Sequence, residues 1–323
     1  MELPAALRQA VDAQLQGVAL ADLQRASGIL SRRYRAETRD GKWHLSDELA
    51  AHAYLAARLP ATFAAVTSAL QHAADIIPDF APRSHLDIGA GPGTALWAAS
   101  AVWTEIETSL LLEGSNAIRA VGEKLSAHAP VADVQWRAAD VTTGLKDAKA
   151  AELVTLAYVL DELNEPARQQ LIAQLWNLTE GMFVIVEPGT PAGWQRILDA
   201  RAQLQALGAH IAAPCTHSQA CAVQTPDWCH FSRRVARSKI HRLTKEADVP
   251  WEDEKFSYLA VSRQPVSLSG QRVLMQPKTG GGKVIAKLCS TDGQVAEHLI
   301  TKRDKDLFGQ ARRADWGDLI GEE

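Results

Sequence analysis

The period of the apolar residues changes along this chain, and the changes divide it. Leu7, Val11 and Leu15 recur at every fourth position, and Leu20, Leu23 and Leu30 extend the helical pattern to a basic cluster, Arg32-Arg33-Tyr34-Arg35. Two alanine-rich helices are predicted over 47–59 and 61–77, interrupted by Pro60. Beyond Pro78 and Pro82 the apolar runs become short and nearly continuous: 85–88, 109–113, 134–140, 153–159 and 182–187. Helical patterns separate them, the clearest over 166–178 and 193–208. Such alternation predicts a parallel sheet buried on both faces. A strand at 231–235, a helix at 239–247 and a strand at 256–261 are expected to complete a seven-stranded sheet, the last strand antiparallel. From 265 onward strands at 272–275 and 283–289 flank the hairpin loop 277–282. A further strand at 295–301 and a helix carrying Arg312 and Arg313 follow. The expected organisation is an N-terminal helical region (1–80), an α/β core (81–264) and a basic β/helix appendage (265–323).

Composition adds two constraints. The 46% hydrophobic content supports a large core, yet no apolar run approaches the ~20 residues of a membrane helix. The N-terminus has no basic stretch followed by an apolar core, so a cytoplasmic, monomeric protein without membrane contact is expected. Charge is uneven. Residues 1–229 hold 17 basic and 25 acidic side chains, net −8, whereas 230–323 hold 17 and 13, net +4. The basic third is the expected face for a polyanion. Its candidates for RNA phosphate are Arg233, Arg234, Arg237, Lys239, Arg242, Lys302, Arg303, Arg312 and Arg313.

Chemistry concentrates at the end of the first core strand, in Asp87-Ile-Gly89-Ala-Gly91-Pro-Gly93-Thr94. The glycines let the backbone turn sharply and approach a ligand. A dinucleotide loop would place its third glycine differently. The D-x-G-x-G-x-G spacing instead resembles motif I of class I S-adenosylmethionine (SAM) methyltransferases. Glu113 ends the second strand about 20 residues on, where an acid can accept ribose hydroxyls. Asp140 ends the third; by the same resemblance it faces the adenine amino group. Asp87, Gly89, Gly91, Gly93, Glu113 and Asp140 are thus the expected cofactor residues. With Asp161 and Glu187 these acids should share one rim of the sheet.

The four cysteines ask for a separate reason. Cys215, Cys221 and Cys229 share one stretch, and Cys289 lies in the appendage. Disulfides do not suit a cytosolic chain with a large core. No C-x2–4-C pair offers a zinc knuckle, although His217 or His230 can complete a mixed site. Spacing alone leaves a metal or iron–sulfur site, ordinary buried cysteines and a redox role open. Pro214-Cys215 is similar to the Pro-Cys of RNA 5-methylcytosine enzymes, but those carry it after the fourth strand, where this chain has Leu160-Asp161-Glu162-Leu163.

The glycine loop, Tyr158-Val-Leu-Asp-Glu-Leu163, Val186-Glu-Pro-Gly-Thr-Pro191, the cysteine run through Trp228-Cys229-His230-Phe231, and the ending Lys302-Arg303 to Trp316-Gly-Asp318 together resemble one known group. It is the Rsm-type small-ribosomal-subunit methyltransferase-like family, and the likeness spans about residues 50–318. The resemblance implies a class I SAM methyltransferase core and, as partner, small-subunit ribosomal RNA in a precursor particle. It also implies a [4Fe–4S] cluster on Cys215, Cys221, Cys229 and Cys289, with zinc as the alternative metal. Activity does not follow from it. The fourth strand lacks the Asn/Asp-Pro-Pro-aromatic motif of amino-methylating enzymes. Asp161 or Glu162 can serve as a base or simply cap the helix at Pro166. No catalytic residue is assigned. The opposing expectation is a non-catalytic assembly factor that holds SAM as a structural ligand.

Overall fold

The computed structural model describes residues 1–36, 45–141, 145 and 147–321. Four helices come first: α1 (Ala5–Leu15), α2 (Leu20–Arg35), α3 (Glu48–Ala57) and α4 (Leu59–Ile76). Pro60 sits in the first turn of α4, where its missing N–H costs nothing, so the break between the two alanine-rich helices falls at Arg58. The core follows as β1 (Ser84–Ile88), α5 (Thr94–Val102), β2 (Thr108–Glu113), α6 (Asn116–Ser126), β3 (Asp133–Ala138), β4 (Ala151–Ala157), α7 (Glu165–Leu178), β5 (Thr179–Pro188), α8 (Pro191–Ala206) and β6 (His210–Ala213). Then come β7 (Phe231–Ala236), α9 (Lys239–Thr244) and β8 (Trp251–Ser262). The appendage comprises β9 (Gln271–Val273), β10 (Lys278–Gly280), β11 (Lys283–Cys289), β12 (Val295–Thr301), α10 (Lys305–Arg313) and β13 (Leu319–Ile320).

The main sheet has the order β3-β2-β1-β4-β5-β8-β6. Strands β1 to β5 pair in parallel, and β8 runs antiparallel between β5 and β6. This is the class I SAM methyltransferase fold, with the single antiparallel strand that the sequence pattern leads one to expect. One assignment needs correction. The sixth core strand is His210–Ala213, and the cysteine stretch follows it rather than preceding it. Phe231–Ala236 pairs instead with the N-terminal half of β8, from Trp251 to Phe256, beyond the sheet's main path. Four residues with one branched side chain are too short to show a period, whereas Phe231-Ser-Arg-Arg-Val235 is long enough to attract the assignment.

Alternation along the strands builds two cores. Met182, Val184 and Val186 face α4, joining a cluster with Leu59, Phe63 and Leu70. Phe183 and Ile185 face α7 and α8, joining Leu171, Leu175 and Ile197. The N-terminal helices are therefore part of one wall of the sheet. A smaller core of Val273, Val284, Leu288, Ile300 and Ala311 holds the appendage. The loop predicted at 277–282 contains β10, closed onto β11 by Gly281 and Gly282 at φ +56° and +78°. Two central residues with positive φ are what a tight hairpin turn needs.

Candidate active site

The strand order reverses between β1 and β4: the chain winds outward through β2 and β3, then returns to the other side of β1. Ligands in such sheets bind beyond the strand C-termini at this point. A cavity of about 1240 Å³ opens there. Gly89, Gly91, Glu113 and Asp140 line it.

Strand alternation explains a buried polar layer beneath the glycine loop; the residues of this layer do not themselves line the cavity. On β1, Leu86 and Ile88 point into the α7–α8 core, so His85 and Asp87 point the other way. In register beside them are Ser109 on β2 and Thr155 on β4. The four make a buried polar chain: Ser109 Oγ lies 2.9 Å from His85 Nδ1, His85 Nε2 lies 2.8 Å from Thr155 Oγ1, and Thr155 donates to Asp87 Oδ1 at 2.7 Å. Burial holds the His85 imidazole neutral, its pKa pushed down to about 3. Because Thr155 donates to Asp87, it must accept from His85, which fixes the Nε2–H tautomer and leaves Nδ1 to accept from Ser109. Asp87 Oδ2 is buried and has no hydrogen-bond partner among the described residues. Burial pushes the Asp87 carboxyl up to about 7, against the pull of the Thr155 hydrogen bond. An orphaned carboxylate oxygen under a glycine loop suits a cationic or hydroxylic ligand.

Glu113 ends β2 and accepts from Gly91 N–H at 2.8 Å and from Ser115 N–H at 2.7 Å. Each oxygen keeps a second lone pair for a ligand hydroxyl. Gly91 has φ +54°, and a Cβ built there meets no atom of the chain within 4 Å. The loop thus offers empty space where a side chain would stand. Gly89, at φ +64°, is needed for packing: its Cβ would meet Val159 Cγ2 at 2.4 Å. Gly93 is the left-handed cap of α5 and packs on Leu111 and Trp136, away from the cavity. Asp140 lies two residues past β3 and lines the cavity.

Beyond β4, Asp161 and Glu162 occupy a single 3-10 turn that also lines the cavity. Neither caps α7; Asn164 does, accepting from Ala167 N–H. Burial, reinforced by the Asp161 carboxyl, pushes Glu162 up to about 8. Glu187 is not at the cavity surface. It is fully buried, accepts from Leu160 N–H at 3.1 Å and pairs with Arg196 at 2.6 Å. Sequence reasoning missed Tyr34, Tyr54, Arg58 and Tyr158, which form the outer wall. The advance signals were the basic cluster containing Tyr34 and the motif that opens on Tyr158, neither of which was read as a cavity wall.

The cysteines lie away from this cavity. Cys215, Cys221 and Cys229 are half-buried and Cys289 is buried. Burial raises the Cys229 thiol well above its ordinary range, and the other three thiols each add to the rise. For Cys289 burial pushes the thiol up to about 11, with Cys215 and Cys221 contributing. All four therefore lie within electrostatic reach of Cys229. His217 faces the Gly293 turn, and His230 stacks on Trp228 and meets Trp316 edge-on. Among the described residues no group of three or more His, Cys, Asp or Glu is gathered as a site for a metal ion.

The appendage folds back on this loop. Arg272 of β9 donates to Pro214 O at 3.0 Å and to Gly317 O at 2.7 Å; Thr216 Oγ1 donates to Cys289 O at 3.1 Å. From the core, Arg201 of α8 donates to His217 O and Gln219 O, and Trp228 Nε1 to Gly189 O.

The basic candidates fall in two places. Arg233, Lys239 and Arg242 are exposed on β7 and α9, beside the N-terminal helices. Their neighbours are engaged: Arg234 grips Asp253 through two hydrogen bonds, and Arg237 pairs with Glu252 at 2.9 Å. Lys302, Arg303, Arg312 and Arg313 are exposed on the appendage, where α10 packs on β11 and β12. No described helix is long and apolar enough to cross a membrane.

A human protein, the mitochondrial ribosome assembly protein METTL17, is 29% identical over 292 residues, covering 83% of this chain. The chain spans 61% of that relative's length. Among solved structures, an O-methyltransferase family protein from Burkholderia thailandensis has a TM-score of 0.46 at 14% identity, covering 76% of this chain and 71% of its own. The plantazolicin methyltransferase BpumL has a TM-score of 0.41 at 11% identity, covering 76% and 98%. The strand order, not these scores, identifies the fold. Residues 48–321 match the family described as mitochondrial small ribosomal subunit Rsm22, and across that span, from α3 to β13, this chain belongs to the Rsm22 family.

Proposed function

We propose that this chain is a SAM-dependent methyltransferase-like protein that works on small-subunit ribosomal RNA within a precursor particle, and that Cys215, Cys221, Cys229 and Cys289 hold a [4Fe–4S] cluster. The observation that carries the SAM reading is the pairing of Asp87 Oδ2, buried and without a hydrogen-bond partner among the described residues, with the open space at Gly91. Asp87 and the Gly89–Gly91 backbone would hold the amino-acid end, Glu113 the ribose and Asp140 the adenine. SAM supplies a methyl group activated on a sulfonium. The residues of this chain would bind it and orient it. Four thiols with no carboxylate among them are the soft donor set that iron–sulfur clusters take. The ribosomal partner is supported by membership of the Rsm22 family and by the human relative's description as a ribosome assembly protein.

A second reading has its own support. The end of β4 reads Tyr158-Val-Leu-Asp-Glu162, without the Pro-Pro turn that holds a target nitrogen in amino-methylating enzymes. This favours an assembly factor for which SAM is a structural ligand. Mass mapping of small-subunit RNA from cells lacking the protein separates the two. A single lost methyl group, also lost with Gly91→Val, supports the enzyme. An unchanged map with impaired subunit assembly supports the factor.

A further inference from the structure

SAM at the glycine loop would use only part of the cavity that the described residues line. A further part of the wall comes from three elements that the sequence keeps far apart. Tyr34 lies in the last turn of α2, Tyr54 on α3 and Tyr158 just past β4; all three line the cavity. Their surroundings fix them. Tyr158 OH and Arg58 Nη2 both reach Glu254 Oε1 of β8, at 3.2 and 3.3 Å, and Tyr54 OH lies 3.2 Å from Thr62 Oγ1. Tyr158 holds φ +59°, a left-handed backbone that a bulky residue adopts at a cost of about 1 kcal/mol or more. Strain of this kind persists where the surroundings enforce it, here the Glu254 tie and the Tyr158 N–H donated to Val186 O.

The end of α2 beside this cavity is cationic. Its last turn carries Arg32, Arg33 and Arg35; Arg35 lines the cavity beside Tyr34 and donates from Nε to Ser31 O at 3.1 Å, and Arg32 is exposed one turn back, its guanidinium beside Gly28. Arg33 is near enough to pull on the Glu162 carboxyl at the cavity floor. Aromatic side chains in the lining, a carboxyl that can hydrogen-bond a base edge, and guanidiniums on the adjoining helix end match an unstacked nucleotide of a single strand.

We propose that Tyr34, Tyr54 and Tyr158 receive one unstacked base of a single-stranded RNA segment, and that Arg32 and Arg35 hold the phosphates beside it. This rests on the RNA reading above and deepens it. The N-terminal helices become half of the acceptor site, and RNA enters at the end of α2 rather than on the basic tail.

The test measures binding of the full chain to two 12-residue strands of equal charge, oligouridylate and an abasic ribose-phosphate chain. One stacked base is worth about tenfold in affinity, so wild type should prefer the uridylate strand by about that factor. Tyr34→Leu with Tyr54→Leu keeps apolar volume but removes the aromatic faces. It should abolish the preference while leaving abasic binding unchanged. The corresponding Phe pair should keep the preference. Arg32→Gln with Arg35→Gln should weaken both strands and reduce the slope of log affinity against log salt by about 1.4, at ~0.7 per phosphate. A folded Leu pair that retains the base preference overturns the proposal, as does equal loss in the Phe pair or an unchanged salt slope. Wild-type protein that binds neither strand nor small-subunit RNA overturns the ribosomal reading as well.

Discussion

Gly91 allows a controlled test of the cofactor loop, because the chain contains a matched control. Gly91 has φ +54° and Gly17, just past α1, has φ +83°; a Cβ at either meets nothing within 4 Å. Alanine at both positions therefore incurs the same kind of left-handed strain, about 1 kcal/mol, with no steric overlap inside the protein. For a chain of this size that corresponds to a melting temperature lower by roughly 2 °C. The difference lies in what faces the new methyl. At Gly17 it meets solvent; at Gly91 it enters the cavity where the ligand backbone contact belongs. Overlap of one methyl with a close-packed partner costs about 1–3 kcal/mol, or roughly ten- to hundredfold in affinity. Calorimetric titration with SAM and S-adenosylhomocysteine should show that loss for Gly91→Ala and none for Gly17→Ala, at similar melting temperatures. Equal SAM affinity in the two variants would refute the placement of the ligand against this loop.

Asp87 should make stability depend on pH. It ionises near 7 in the fold, against about 3.9 unfolded, so its contribution falls as pH rises from about 4 to about 7 and is level above. Urea midpoints of wild type and Asp87→Asn should converge in slope only outside that window. Arg272→Gln removes two buried hydrogen bonds, one to Pro214 O at the start of the cysteine loop and one to Gly317 O within the appendage. A loss of about 2–3 kcal/mol, with faster amide exchange in β9 and β13 but SAM affinity retained, is the expected result. Cys289→Ser should lower iron and sulfide from about four each per chain, with loss of the brown colour of anaerobically purified protein. Colourless wild-type protein with one zinc would replace the cluster, and metal-free protein with all four thiols open to alkylation would remove it. Neutralising Arg312 and Arg313 tests the appendage as a phosphate surface: an unchanged salt dependence of RNA binding excludes it.

The glycine loop and the strand-end acids were legible because they are local. Asp87, the glycines and Glu113 lie close in sequence, and each strand announces itself by a continuous apolar run. The parallel pairing of the sheet followed from the alternation of those runs with helices. What escaped was short or non-local. β6, β10 and β13 have four, three and two residues, too few for any period. Tyr158 takes its left-handed backbone from packing against Val186 and Glu254, nearly 30 and 96 residues on. The engagement of Arg234 and Arg237 depends on the pairing of β7 with β8; sequence alone counted them as open cations. The basic end of α2 was visible as composition, but its position beside the cavity comes from helix packing.

Crosslinking the full chain to RNA in living cells, followed by sequencing of the recovered RNA, tests the ribosomal reading most directly. Enrichment of small-subunit ribosomal RNA, concentrated at one segment and reduced by the Tyr34 and Arg32 variants, is the expected result. Recovery of no ribosomal RNA above background, or of large-subunit RNA alone, would contradict it.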